Sequence, residues 1–171
     1  MPGPVDGLRR TRSPDGPANK LPTMHITNGK ACFAPELSLR IVAPAVEFYQ
    51  KAFGAEVLLL VKNADGSVHV AELLLQGAVF HLHQEMPGSV ARGPESIGGT
   101  TVSLGLFLDD PDNLMERAAA AGGRIVQPMT THSYGYRQGT LEDPFGHRWT
   151  FQKQVGDVWT GVIGPDGDKV G

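Results

Sequence analysis

From residue 33 onward the chain repeats one pattern twice, and this duplication limits its fold more than any single motif does. An alternating apolar segment, a helical segment closed by glycine, and three further alternating segments occur in order, and then the order recurs. The first copy predicts a strand over 36–42, with Leu37, Leu39 and Ile41 on one side and Glu36, Ser38 and Arg40 on the other. A helix over 44–53 follows, stopped at Gly54, and then strands over 56–62, 68–75 and 79–83. The second copy predicts a strand over 101–108, a helix over 111–121 stopped at Gly122, and strands over 124–128, 137–142 and 148–152. Each helix begins beside a proline whose fixed dihedral suits the first turn, and each ends on a glycine suited to a left-handed cap. Pro44 and Pro111 are separated by 67 positions, Gly54 and Gly122 by 68, and Gly77 and Gly146 by 69, so about two single-residue insertions separate the copies. The reading is α+β, two βαβββ modules, each with its helix on one sheet face and polar side chains on the other.

The modules are expected at 33–86 and 100–155, with a flexible Gly/Pro-rich connector at 87–99. Residues 1–25 are rich in Pro, Gly, Arg and Asp and too poor in apolar surface to offset their ordering entropy, so a disordered leader is expected there. The turn-rich tail, 156–171, carries Trp159 and Val162 and could add a strand or docking arm.

A net charge of -3 over 171 residues gives no field that would hold a polyanion, and no basic stripe interleaved with aromatics occurs, so nucleic acid is not an expected partner. No apolar run approaches the about 18 residues of a membrane span, and the chain start lacks the apolar centre of a secretory signal. With a single cysteine, Cys32, no intrachain disulfide can form, and a cytoplasmic protein is expected. No glycine-flanked serine elbow and no phosphate-cradling glycine loop is present.

Four runs carry a resemblance: AVEFYQKAFGAEV at 45–57, AEL at 71–73, GGTTVSL at 98–104 and GTLEDPFGHRW at 139–149. Together they resemble the vicinal oxygen chelate superfamily of glyoxalases, bleomycin-resistance proteins and ring-cleaving dioxygenases, and within it the PhnB-like branch. The resemblance implies that the two modules form a curved mixed sheet around a cavity, helices outside, in a homodimer. In metal-using members, four side chains from the first and last strands of both modules meet in that cavity. The internal register maps these positions onto Glu36, His81, Ser103 and Thr150: Glu36 and Ser103 each lie eight residues before a helix proline, His81 and Thr150 each four after a turn glycine.

A carboxylate and an imidazole bind a divalent metal well, whereas two hydroxyls do not, so this quartet falls one ligand short of a three-ligand catalytic site. His83 shares a strand face with His81 and could complete a His-His-carboxylate set, although neighbours on one strand face stand about 6 to 7 Å apart. Polar cavity lining is the alternative role of both histidines. His25, His69 and His132 are read as surface residues, and His147 as part of a structural Asp-Pro-Phe-Gly turn with Trp149 and Phe151 on the core side.

In similar proteins the segment THSYGYRQGTL at 131–141 is an aromatic loop with an arginine, offering here Tyr134, Tyr136 and Arg137. A tyrosine face and a forked guanidinium suit a planar or anionic ligand. The expected cavity is lined by Glu36, Arg40, His81, His83, Ser103, Phe107, Tyr134, Arg137 and Thr150. The expected function is small-molecule binding without a metal or other cofactor. The alternative is a divalent-metal-dependent lyase, isomerase or dioxygenase with Glu36 and His81 as ligands.

Overall fold

The computed structural model describes residues 31–157, 161–166 and 169–170, so the predicted leader and Trp159 lie outside the described residues. The first module runs β1 (Glu36–Leu39), α1 (Ala43–Phe53), β2 (Glu56–Lys62), β3 (Val68–Leu75) and β4 (Ala78–Gln84). After a single helical turn, α2 (Pro94–Ile97), the second runs β5 (Ser103–Phe107), α3 (Pro111–Ala120), β6 (Arg124–Thr131), β7 (Tyr136–Glu142) and β8 (Arg148–Gln154). A small antiparallel pair, β9 (Val162–Ile163) with β10 (Lys169–Val170), lies in the tail.

Each module folds into its own four-stranded mixed sheet, ordered β1-β4-β3-β2 and β5-β8-β7-β6. In both, the first strand runs parallel to the last while the remaining pairs are antiparallel. The duplication read from the sequence is therefore a duplication of topology. The two sheets are not joined by a strand ladder.

Local chemistry explains the boundaries. Alternation in ELSL buries Leu37 and Leu39, but the chain bends at Arg40 and enters α1 at Ala43, so β1 is shorter than its apolar pattern predicts. Helix α1 buries Ala45, Val46, Phe48, Tyr49, Ala52 and Phe53 along one stripe, and Gly54 ends it at φ 72°, a left-handed conformation glycine adopts without steric cost. Helix α3 is capped by Asp110, whose side chain accepts the Asn113 N–H at 3.2 Å. The turn in the connector escapes sequence periodicity because its four residues are too few to show a helical repeat.

The helix-facing sides of both sheets share one core. Trp149 meets Phe53, Phe80 and Tyr49 edge-to-face at ring-centroid distances of 5.0, 5.5 and 5.6 Å. Buried Asp143 joins the modules: its Oδ2 accepts the Tyr49 hydroxyl at 2.5 Å and Trp149 Nε1–H at 3.0 Å. Its Oδ1 accepts the backbone N–H groups of Phe145 and His147 at 2.9 and 3.0 Å, the Asx turn expected of this motif. From the same turn, His147 Nε2–H donates to the Ser38 carbonyl of β1 at 3.2 Å, and Arg117 of α3 donates to the Phe53 carbonyl at 3.1 Å.

Candidate functional site

With leucines turned to the core, β1 and β4 present their alternate residues on the opposite face. Parallel pairing sets Glu36 beside His81 and Ser38 beside His83, and antiparallel pairing sets Glu72 of β3 on the other flank of His81. Glu36, His81 and His83 each offer one ligand atom, and these atoms all lie within 4.8 Å of one another. The two imidazole centroids stand 6.0 Å apart, as strand geometry requires, so convergence comes from how the rings turn rather than from backbone proximity. His83 Nε2 is buried and has no hydrogen-bond partner among the described residues. Ligands at about 2.1 Å from a divalent ion lie at most about 4.2 Å apart, so a small rotamer adjustment brings the three atoms into a coordination shell. A buried ring nitrogen with no partner, a second imidazole and an exposed carboxylate form a donor set that fits such an ion. Two nitrogens and a carboxylate, without thiolate, suit zinc or the harder first-row divalent metals.

The matching face of the second module carries hydroxyls. Ser103 Oγ and Thr150 Oγ1 lie 2.9 Å apart, Thr140 Oγ1 lies 3.4 Å from Thr150, and Thr140 donates to Gln127 Oε1 at 3.1 Å. The strand register shows a slip that counting from the prolines does not reveal. Thr150 lies beside Gly105, and Ser103 beside Arg148, whereas in the first module Glu36 lies directly beside His81. A side chain at position 105 would in any case approach Gln152 Nε2 to 3.0 Å. The second module thus adds neither carboxylate nor imidazole at these places.

Farther along, an aromatic row crosses this sheet. Phe107, 62% exposed, meets Tyr136 at 5.8 Å; Tyr136 meets Tyr134 at 6.2 Å; Tyr134 stacks on His132 at 4.8 Å with planes 9° apart. Arg137 follows Tyr136 by one residue and therefore points to the helix-covered face, where it forms a forked pair with Asp112 in the first turn of α3. That guanidinium holds the Asp112 carboxyl below the usual carboxylate range. Arg40 lies past the end of β1 and donates to the Glu95 carbonyl at 2.9 Å and to Ser96 Oγ at 3.2 Å. Neither arginine joins the histidine cluster. Beside Arg40, Glu85 accepts the Ser96 hydroxyl at 2.7 Å and the Gly93 N–H at 2.6 Å, which hold its carboxyl below the usual range.

Glu72 and Thr140 lie in the runs at 71–73 and 139–149 that carry the resemblance, yet the sequence assigns neither a role in the site, and it reads His132 as a surface residue. Glu72 did leave a signal, as the one acidic residue of the apolar strand VHVAELLL. Two crevices follow the seam between modules: one of about 360 Å³ lined by Glu36, Ser38, Arg92, Thr101 and His147, and one of about 320 Å³ lined by Pro35, Phe80, Ser103 and Trp149. Glu36 thus joins the histidine cluster to the seam.

Duplicated βαβββ modules, a shared aromatic core and polar outer faces define a paired-module protein whose candidate ligands lie on the sheet face away from the helices. The family model of the Glyoxalase/Bleomycin resistance protein/Dioxygenase superfamily matches residues 39–151, and the chain belongs to that superfamily. Uncharacterized proteins of Mycobacterium bovis and Mycobacterium tuberculosis are 34% identical over 134 residues, covering 77% of this chain and 88% and 79% of those relatives. Among solved structures, TioX from Micromonospora sp. ML1 is similar with TM-score 0.58 at 26% identity, over 75% of this chain and all of that one. A gene product of Arabidopsis thaliana is similar with TM-score 0.55 at 28% identity, over 71% of this chain and 97% of that one. A glyoxalase-related enzyme from Fulvimarina pelagi, 23% identical with TM-score 0.53, shares the fold over 81% of this chain and 96% of that one.

Proposed function

We propose that this protein binds a small oxygen-bearing molecule on its polar sheet faces, and that Glu36, His81 and His83 hold a divalent cation there. The observation that carries this reading is the convergence of the three ligand atoms within 4.8 Å. Counting ligands over both modules favours a metal-free cavity, because Ser103 and Thr150 are poor donors. His83 changes that count by placing a third ligand within the first module. Three protein ligands leave coordination positions open, and a bound ion would polarise the oxygens of the small molecule as a Lewis acid. The chain's own groups supply the rest: the Ser103, Thr140 and Thr150 hydroxyls hydrogen-bond polar substituents, and Phe107, Tyr134 and Tyr136 offer faces to a planar part. The motif at 139–149 supports a place in the PhnB-like branch, and the lone exposed Cys32 is consistent with a cytoplasmic location. Among the described residues no helix is long and apolar enough to cross a membrane.

Elemental analysis of protein purified without a metal-affinity column, followed by cobalt, zinc and manganese titrations of chelated protein, tests the reading. Stoichiometric binding that is sharply weakened, though still measurable, in His81→Ala and in His83→Ala is the expected result. Failure of all three metals to bind overturns it and returns the protein to the metal-free class. A thermal-shift screen of planar antibiotics and short oxo acids then tests ligand binding itself, since a ligand at a hundred times its Kd stabilises by about 2.7 kcal/mol.

A further inference from the structure

A carboxylate at the centre of an apolar strand needs a physical reason. Strand β3 lies between β2 and β4, and its sequence, VHVAELLL, is otherwise apolar but for His69. Glutamate is disfavoured in strands, and a half-shielded carboxylate loses hydration without gaining packing. Glu72 nevertheless occupies this place. The register sets it directly opposite His81, and its Oε2 lies 3.4 Å from His81 Nε2, with the two side chains 24% and 26% exposed. The described ion pairs give it this single partner. Glu72 is also not among the residues whose ligand atoms converge, which are Glu36, His81 and His83. It therefore touches a ligand without belonging to the ligand set.

An imidazole can present only one nitrogen as a lone pair while the other carries its proton, and a carboxylate on one nitrogen decides which. We propose that Glu72 is the positioning residue of this centre: it takes the Nε2–H of His81 and so leaves Nδ1 as the lone-pair nitrogen free to share an ion with Glu36 and His83. This rests on the proposed metal reading, and it assigns the site a second layer that lies entirely within the first module. At 3.4 Å the contact is longer than a formed N–H···O bond of about 2.9 Å, a gap that a small turn of either side chain closes with or without a metal. A carboxylate held this way raises the basicity of the imidazole and fixes its plane, which typically changes metal affinity by about tenfold to a hundredfold.

Two measurements on the full chain test it. In the first, Co²⁺ is titrated into wild type, Glu72→Leu, His81→Ala and the double variant, reading calorimetric affinity and the visible d–d absorption. Leucine suits the surrounding strand, so the variant retains the fold. The expected result is a tenfold or greater loss of affinity with an altered d–d band in Glu72→Leu, and no further loss when the same change is made in the His81→Ala background. An equal loss in both backgrounds marks a general charge effect and overturns the proposal, as does unchanged affinity in Glu72→Leu. In the second, metal-free protein is examined by 1H–15N NMR of the histidine rings. A protected Nε2–H resonance of His81 is expected in wild type and lost in Glu72→Leu, and its absence from wild type overturns the proposal. If Co²⁺ does not bind wild type while this resonance is present, the metal reading fails and the positioning of His81 by Glu72 stands.

Discussion

Tyr49 and Asp143 show how much rests on single side chains at the module seam. The Tyr49 hydroxyl is fully buried, and burial, reinforced by the Asp143 carboxylate, pushes its pKa well above the ordinary value, so it donates to Asp143 near neutral pH. Tyr49→Phe removes one of four donors to Asp143 and leaves the carboxylate less well satisfied, which should cost about 1 to 3 kcal/mol in urea unfolding. Asp143→Ala leaves the Tyr49 hydroxyl, the Trp149 indole N–H and two backbone N–H groups without an acceptor, and the loss should exceed that of Tyr49→Phe. His147 supplies the pH dependence. Burial lowers its pKa, against the raising effects of Asp143 and of the bond to the Ser38 carbonyl. The unfolded chain therefore takes up this proton more readily than the folded one. The contribution of His147 to stability is full above the unfolded pKa of about 6.5 and declines as pH falls toward the lower folded value. Stability measured between pH 7 and 5 should fall with decreasing pH, and His147→Gln should flatten that slope. An unchanged slope would refute the assignment.

At the scale of elements, α2 and the connector before it are held against β1 with little tolerance. A methyl at Gly93 would meet the Ser38 carbonyl oxygen at 2.1 Å, while the Gly93 N–H is engaged by Glu85. Because the clash is with backbone, no rotamer change relieves it. Gly93→Ala should therefore displace the turn at Pro94–Ile97 and lower the Tm by several degrees, whereas Gly66→Ala, where nothing lies within 4 Å but φ is 86°, should show only the smaller cost of backbone strain. Loss of the Arg40 and Glu85 contacts to α2 would also loosen the crevice lined by Glu36 and Arg92. The shape of that crevice is thus tied to the order of the connector.

For the whole molecule, the two modules behave as one folding unit because their helix-facing surfaces are completed by each other. Trp149 of β8 packs on Phe53 of α1 and Phe80 of β4, so Trp149→Ala should cost about 3 to 5 kcal/mol and unfold both modules in one transition. Two separate transitions would contradict this. The opposite surfaces are less complete. Edge strand β2 leaves Leu59, Leu60 and Val61 51%, 41% and 41% exposed beside unpaired backbone groups, an arrangement that favours pairing with another chain. If the homodimer that the resemblance implies forms along this edge, sedimentation equilibrium should return twice the 18.3 kDa chain mass, and Leu60→Lys should shift it toward one. A monomer at high concentration would rule the dimer out.

The local periodicities of the chain, by themselves, determined two βαβββ modules, helices α1 and α3 with the glycines that follow them, and the Asx turn at Asp143. Such features arise from a repeat of two or 3.6 residues and from backbone preferences within a few positions, which every short segment carries independently. Only the tertiary structure decided what meets on the faces. The slip that places Gly105 rather than Ser103 beside Thr150 depends on ladder register, which loop counting does not specify. The early end of β1 takes Arg40 to α2, and Arg137, on the same face of β7 as buried Leu141, meets Asp112 of α3. Glu36, His81 and His83 come together because a parallel pair of strands, distant in sequence, share one register, and Glu72 becomes relevant only when β3 is laid against β4.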